Sequence, residues 1–590
     1  MENAPVRSLR DFLDLLRARG ELLEVETEVD PRFEVAEVHR RVIAAGGPAL
    51  LFRRCKGAAF PLVTNLFGTT ERASLAFGTR PRRFVERVVE TAHTLLPPTF
   101  RKLWAARGLA FEGLRVGMRS LRAGPVTEVE EAPDLGRMPA LTSWRGDGGP
   151  FLTLPLVHTE HPTSGKPNLG IYRMHVHGKA STGMHFQIHK GGGFHFHEAE
   201  RLGQDLPATV FLGGPPAMVI AAIAPLPEDV PELLLASLLL GERLPRVKGR
   251  SAHPLVAQAE FALCGRVARG ERRPEGPFGD HFGYDSLAHD YPVFHVDRVF
   301  RRRDAIFPAT VVGRPRQEDF YIGDWLQDLL SPLFPLVMPA VRDIWAFGET
   351  GFHSLAVARV KRERYPREAL AHGMRILGEG QLSLTKVLIV VDDDAVAIRD
   401  VRALLPHVLA RMDWRTDAVV LGETAQDTLD YTGPTVNRGS KAILLATGPA
   451  RRSLPTSFHG DLPAGVARAV PFVPGALVVE GVSFADERGQ AERVARHAAF
   501  AEWPLLVLVD DAEEASRSPE LFLWTTFTRM EPAADLHGRE RVTARFHTGL
   551  LAPVVVDARM KPGYPRVMEV DPETRALVDR RWDEYGIRLR

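Results

Sequence analysis

Histidine, lysine and glycine crowd one short stretch of this chain. Eight of its 21 histidines, His158, His161, His175, His177, His185, His189, His195 and His197, fall within forty residues. Among them runs Met184-His-Phe-Gln-Ile-His-Lys-Gly-Gly-Gly193. Imidazoles exchange protons near neutrality and ligate metals through an unprotonated nitrogen. A lysine followed by three glycines lets backbone N–H groups and one cation close on an anion such as a phosphate, although a glycine triplet also reads as a plain turn. The second constellation is Arg272-Arg-Pro-Glu-Gly-Pro-Phe-Gly-Asp280, where Glu275 and Asp280 stand five apart across a Gly-Pro turn. Two carboxyls near an arginine have their proton affinities pushed apart, so one stays ionised and one can carry a proton. Two solvated acids on a turn are the plainer reading of that spacing. His185 and His189, four apart, would hold zinc on a helix, but Gly183 and Gly191 to Gly193 bracket them closely, which makes a zinc hydrolase the weaker alternative. Gly-x-Ser-x-Gly, a helix-opening Gly-x-Gly-x-x-Gly and His-Glu-x-x-His are all missing from the sequence.

These groups need a scaffold. Ser8 reads as an N-cap, after which Leu9, Phe12, Leu13 and Leu16 recur at helical spacing until Gly20. Residues 40–90 have the texture of an α/β domain. From Val116 onward, β-rich runs such as Phe151 to Val157, Ala217 to Ile220 and Tyr291 to Val296 alternate with Gly/Pro turns and predict a barrel-like β domain. His195 and His197 alternate with Phe194 and Phe196, the period of a strand with one polar face. One helix interrupts this region from Pro231 to Gly241, with Glu232 in a first turn whose dipole favours an acid. Further on, Val391-Asp-Asp393, Arg411-Met412 and Asp417 recur 118 positions later as Val509-Asp-Asp511, Arg529-Met530 and Asp535. Each copy reads as a buried strand ending in acids and followed by a helix, which predicts a parallel sheet. Lys386 has no counterpart in the second copy, where Pro504 stands instead. The expected divisions are residues 1–115, 116–320, 321–450 and 451–590.

The bulk properties narrow the function. In 590 residues, Lys+Arg 75 against Asp+Glu 74 leaves a formal charge of +1, with none of the electrostatic footprint that nucleic-acid binding requires. Two cysteines, Cys55 and Cys264, build neither a disulfide framework nor a thiolate zinc site. Charges run through the N-terminus and no apolar run is long enough to cross a bilayer, so a cytoplasmic protein without a transmembrane segment is predicted.

Taken in order, Asn168-Leu-Gly-Ile-Tyr-Arg173, Lys190-Gly-Gly, Pro274-Glu-Gly-Pro-Phe-Gly-Asp280, Lys386-Val-Leu-Ile-Val-Val-Asp-Asp-Asp394 and Arg438-Gly-Ser-Lys441 resemble the UbiD family of decarboxylases, which use prenylated FMN. The resemblance implies a mixed α/β (α+β) chain: an N-terminal α/β domain, a central split β-barrel that binds the flavin, and a C-terminal α/β domain, here with a duplicated strand-helix module. It implies Asn168 and Glu232 as ligands of Mn²⁺, with K⁺ beside it at the cofactor phosphate. Some relatives place a histidine ligand directly after the glutamine; here Ile188 follows Gln187, and His189, one further on, is the third ligand implied. Ile171, Tyr172, Arg173, His185, Phe186, Gln187, Lys190, Gly191, Glu232 and Lys386 match cofactor-binding positions. Arg173, Glu275 and Asp280 match the catalytic network, Asp280 standing where the proton donor does. Family members form dimers and hexamers, which implies a homo-oligomer, and receive their cofactor from a separate flavin prenyltransferase. The substrate implied is a small aromatic carboxylic acid. The chain's length and the run Phe522 to Met530 resemble the long decarboxylases of menaquinone biosynthesis and favour 1,4-dihydroxy-6-naphthoate. The alternatives are 4-hydroxy-3-polyprenylbenzoate of ubiquinone biosynthesis, another hydroxyaromatic acid, or a non-enzymatic flavin carrier.

Overall fold

In the computed structural model the Ser8 hydroxyl accepts the Asp11 N–H at 3.1 Å, which satisfies one of the free donors at the start of helix α1, Leu9–Arg19. Leu9, Phe12, Leu13 and Leu16 are its buried face, and Gly20 ends it at φ +70°, as the spacing predicts. The structure describes residues 5–589 except 96–98, 106–107, 109–112, 114, 188–190, 227–229, 315, 393 and 395. The chain divides into two compact units, residues 1–329 with 566–590 and residues 330–565.

The first unit opens with a four-stranded sheet, in the order Leu22–Val25, Ala49–Phe52, Leu62–Thr64 and Phe307–Pro308. The β-rich middle of the sequence forms a seven-stranded sheet. Six of its strands run along one path: β1 (Leu156–Glu160), β2 (Pro167–Ile171), β3 (Ser181–Gly183), β4 (Leu206–Leu212), β5 (Phe261–Glu275) and β6 (His289–Arg301), in the order β3-β6-β5-β4-β1-β2. Val129–Glu131 pairs with β6, and every neighbouring pair is antiparallel. Val157, Val210, Leu263 and Phe294 from this sheet join Val35, Leu50 and Leu62 in one buried cluster.

Two segments read as strands are helical. Ala217 to Ile220 opens a helix, Ala217–Ile223, behind Pro215 and Pro216. Four apolar residues cannot separate the two periods, and Ala and Met favour the helix. His195 and His197 lie in helix α2, Gly191–Arg201, where Phe196 and His195 are buried and Phe194 is exposed. Helix α3, Glu232–Leu240, follows Pro231 and stops at Gly241, whose φ of +73° suits glycine.

The second unit carries the duplication. One five-stranded sheet runs Val341–Ala346, Leu355–Val360, β7 (Val387–Val391), Arg438–Ala446 and Ala418–Ala425; the other runs Arg468–Val473, Ala476–Glu480, β8 (Leu505–Val509), His547–Asp557 and Leu536–Ala544. The three inner strands are parallel and both edges antiparallel, so each sheet is mixed rather than purely parallel. Val387, Ile389 and Leu409 of one copy pack with Val507, Phe522 and Val556 of the other in a shared core.

Residues 566–590, grouped in the sequence with the second module, return to the first unit. Arg581 pairs with Glu34, the Tyr585 hydroxyl donates to Glu34 at 2.6 Å, and Arg41 pairs with Asp579 at 2.6 Å. Val578 and Tyr585 enter the first unit's apolar cluster, an attraction that chain order does not reveal.

Candidate active site

Strand β5 ends at Glu275, and a short hairpin follows in which Phe278 and Gly279 pair with Ser286 and Asp285. Arg173, two residues past the end of β2, ties the two together. Its Nε donates to Glu275 Oε1 at 2.8 Å, an Nη donates to Ser286 Oγ at 3.1 Å, and the guanidinium lies 4.6 Å from the centre of the Phe278 ring. The other Glu275 oxygen is 2.6 Å from His185 Nδ1. Glu275 is 0% exposed, and burial alone would raise its pKa; the Arg173 and His185 charges outweigh that and hold it at about 2. Glu275 is therefore biased toward its anionic form.

Asp280 begins the turn of the hairpin. Its Oδ1 accepts the Phe282 N–H at 2.7 Å, its own N–H donates to Tyr284 O at 3.1 Å, and the residue is buried. Asp147 supports this hairpin from below, accepting the Gly279 N–H at 2.8 Å through one oxygen and the Ser143 and Trp144 N–H groups at 2.7 and 2.9 Å through the other. Burial raises the Asp147 pKa against these bonds and the Arg173 charge. The returning tail pins the far side: Tyr284 bridges Val567, Asp285 N–H donates to Arg566 O at 2.8 Å, and Met568 sits against Gly279 and Gly313.

A second cluster sits at the start of β2. Asn168 is buried opposite Thr159 of β1, and its amide Nδ2 is 3.5 Å from the Tyr172 hydroxyl, which accepts the Gly192 N–H at 3.1 Å. Glu232, first residue of α3, accepts the Leu169 N–H at 3.0 Å. Burial raises its pKa, and among the described residues no cation stands within ion-pair distance of it. A half-buried carboxylate that accepts the N–H of the residue after Asn168, with no counter-charge among the described residues, is a donor set that together with the Asn168 amide oxygen fits a hard divalent cation. The glycines pack against this cluster: a Cβ on Gly191 would lie 2.2 Å from Asn168 Oδ1, and one on Gly192 would lie 2.8 Å from the Phe186 ring. The triplet is thus neither a free turn nor a strand, but the tight first turn of α2.

The structure places the remaining expected residues unevenly. Ile171 ends β2; Tyr172 and Phe186 are buried and meet edge to face at 5.1 Å; Gln187 follows Phe186. His189 and Lys190 lie outside the described residues, which leaves the third metal ligand there too. His185 lies in a non-helical segment with Nδ1 at Glu275, and His189, its partner in the zinc reading, lies outside the described residues. Lys386 belongs to the second unit, where its ammonium is 2.7 Å from Asp430 and 3.3 Å from Thr432, all three buried. Arg529, its Nη 3.4 Å from Asp510, and Asp535, 3.2 Å from Lys561, are ion-pair residues. Sequence reasoning missed Ser286 and Asp147 and did not pair His185 with Glu275.

Chemically, the two acids now differ. Glu275 has one oxygen on the Arg173 guanidinium and the other on the His185 ring, and these partners hold its pKa well below the usual carboxyl range. Asp280 accepts the N–H of Phe282 in its own turn. Arg173 links Glu275 to the hairpin that carries Asp280.

Comparison with known proteins covers nearly the whole chain. Three family models match in order, described as the N-terminal, Rift-related and C-terminal domains of 3-octaprenyl-4-hydroxybenzoate carboxy-lyase, over residues 13–92, 119–315 and 320–446. A protein of Chlamydia trachomatis is 48% identical over 583 residues, 98% of this chain and 99% of its own. One of Chlamydia pneumoniae, named as a subunit of a 4-hydroxybenzoate decarboxylase, is 47% identical over 579 residues, 98% of each chain. Among solved structures, the UbiD-class enzyme HmfF from Pelotomaculum thermopropionicum in complex with FMN is similar with a TM-score of 0.62 at 27% identity, covering 75% of this chain and 94% of that one. An evolved dimeric form of HmfF in complex with prFMN gives 0.61 at 27%, covering 76% and 97%. Three domain matches in sequence order, with Arg173, His185, Glu275 and Asp280 all inside the second, make this chain a member of the UbiD family of carboxy-lyases.

Proposed function

We propose that the chain removes CO₂ from a hydroxyaromatic acid with prenylated FMN as its cofactor. The Arg173–Glu275–His185 network, which Arg173 joins through Ser286 to the hairpin that bears Asp280, carries this reading. Bound in this pocket, prenylated FMN supplies the electron sink that the reaction needs, because CO₂ loss from an aromatic ring leaves an electron pair in an in-plane orbital with no resonance outlet. Asn168 and Glu232 would hold a divalent cation such as Mn²⁺, which with K⁺ would offset the charge of the cofactor phosphate. His185 is fixed by Glu275, and Tyr172 and Phe186 wall the site with aromatic surface. Arg173 steers the substrate carboxylate, and its own orientation is locked by Glu275 and Ser286. Asp280 delivers the proton to the carbon that CO₂ leaves; Glu275, held as an anion, is excluded from that role.

The substrate we favour is 1,4-dihydroxy-6-naphthoate. Its support is the long form of the chain, which the chlamydial relatives share over 98% of its length. A specific observation favours a second reading: the Chlamydia pneumoniae relative, 47% identical, is named for 4-hydroxybenzoate. Co-expression with a flavin prenyltransferase, followed by mass and absorbance of the released pigment and CO₂ release from a panel of aromatic acids, tests both. Turnover of the naphthoate supports the first, turnover of 4-hydroxybenzoate alone the second. The Asp280→Asn protein is expected to bind the pigment and release no CO₂. Loaded protein active on none of these acids overturns the proposal.

A further inference from the structure

A second ligand-bearing cluster lies on the opposite face of the same sheet. Side chains alternate along a strand, and directly paired residues of antiparallel neighbours share a face. On β1, Thr159 faces the side of its partner Asn168 and contacts His195 Nδ1 at 2.9 Å. His158 and Glu160 therefore project the other way. His253 reaches them from the turn between Leu244–Val247 and Leu255–Val256. The His158 and His253 rings meet at 4.9 Å, and one potential ligand atom from each of His158, Glu160 and His253 falls within 4.8 Å of the others.

We propose that His158, Glu160 and His253 bind a first-row divalent transition metal at a site separate from the one at Asn168 and Glu232. Two imidazoles and one carboxylate suit such an ion, which prefers nitrogen donors over the all-oxygen shells of Ca²⁺ or Mg²⁺. The supporting groups are arranged for ligation. Thr209, paired across the sheet with His158, contacts His253 Nδ1 at 3.2 Å and leaves Nε2 for the metal. His158 is only 4% exposed, yet its Nδ1 has no hydrogen-bond partner among the described residues. A buried ring nitrogen is seldom left this way unless something outside the chain meets it. Burial also lowers both histidines, His158 to about 3 and His253 to about 4, so each imidazole is in its ligating, neutral form near pH 7. Glu160 is half-buried at the rim, which leaves room for water as a further ligand.

One group opposes the ion. Arg246, in the strand that leads to the His253 turn, acts electrostatically on both His158 and Glu160. Its charge weakens a cation here, and removing it should tighten binding.

The test uses the full-length chain, stripped with a chelator and dialysed against Zn²⁺, with metal counted by elemental mass spectrometry and Co²⁺ as an absorbance probe. About one Zn²⁺ per chain is expected to persist in the Asn168→Ala, Glu232→Gln double variant, which removes the other donor set. Glu160→Gln and His253→Gln are expected to weaken Zn²⁺ by roughly tenfold or more and to reduce the visible Co²⁺ bands. Arg246→Gln, which removes no ligand, is expected to strengthen it. Zinc lost entirely in the Asn168, Glu232 double variant overturns the proposal. So does unchanged affinity in Glu160→Gln, His253→Gln and Arg246→Gln alike.

Discussion

Replacing Glu275 by glutamine tests the site at its centre. The carboxylate receives one bond from Arg173 at 2.8 Å and shares one with His185 at 2.6 Å, and it is 0% exposed. Glutamine keeps the shape but offers a single oxygen, so an NH₂ group must face one of the two former partners. Breaking a buried charge pair by changing one member costs about 3–5 kcal/mol. If about 3 kcal/mol of that falls on the transition state, kcat drops by roughly 150-fold, at ~1.4 kcal/mol per factor of ten. Glu275→Asp keeps the charge but retracts it by one methylene, and a loss nearer tenfold, ~1.4 kcal/mol, is expected. The assay is the initial rate of CO₂ release from protein co-expressed with a flavin prenyltransferase, divided by the pigment bound per chain, so that lost loading is not mistaken for lost chemistry. A Glu275→Gln rate within about threefold of the parent at equal loading, ~0.6 kcal/mol, would refute the assignment of this network to the reaction.

Three further outcomes follow from the same geometry. Glu275 is depressed to about 2 from an ordinary carboxyl value of 4.5, so its stabilising contribution is fully present above 4.5 and is lost as pH falls through about 2; acid denaturation of the Glu275→Gln protein should lack this component, measured by fluorescence from pH 5 to pH 2. Gly191→Ala places a Cβ 2.2 Å from Asn168 Oδ1, and because helix and amide cannot both stay, the affinity for Mn²⁺ proposed at Asn168 and Glu232 should fall by about tenfold, measured by titration of the metal. Lys386→Met leaves the Asp430 carboxylate buried without its ammonium, at a cost of about 3–5 kcal/mol to the second unit; urea unfolding should show the loss, and adding Asp430→Asn should restore part of it.

Local signals in the sequence carry over where one physical rule dominates. Ser8 and Gly20 bound α1, Pro231 and Gly241 bound α3, and the spacing of Val391 and Val509 marks equivalent central strands of two like sheets. Glu232, an acid that the helix dipole alone would explain, lies beside Asn168 because α3 starts against the N–H of Leu169. Where several rules compete, local pattern misleads. The Phe-His alternation at 194–197 has the period of a strand, yet His195 is drawn to Thr159 and Phe196 to the core, and both fit a helical turn. Ser286 and Asp147 reach the site through pairings across long stretches of chain, which no local pattern encodes. The run from Phe522 to Met530, part of the resemblance that favours the naphthoate, is packed: Phe522 stacks on Phe472 at 3.9 Å, and Trp524 is buried.

The tail's return has a consequence for biosynthesis. Arg566, Val567 and Met568 brace the turn bearing Asp280, yet they leave the ribosome after the entire duplicated unit has been made. A nascent chain can close its antiparallel sheet early, but the turn bearing Asp280 stays unbraced until the second unit has been translated. Premature termination anywhere beyond residue 329 and before residue 566 therefore yields a polypeptide that carries Arg173, Glu275 and Asp280 without the segment that braces their hairpin.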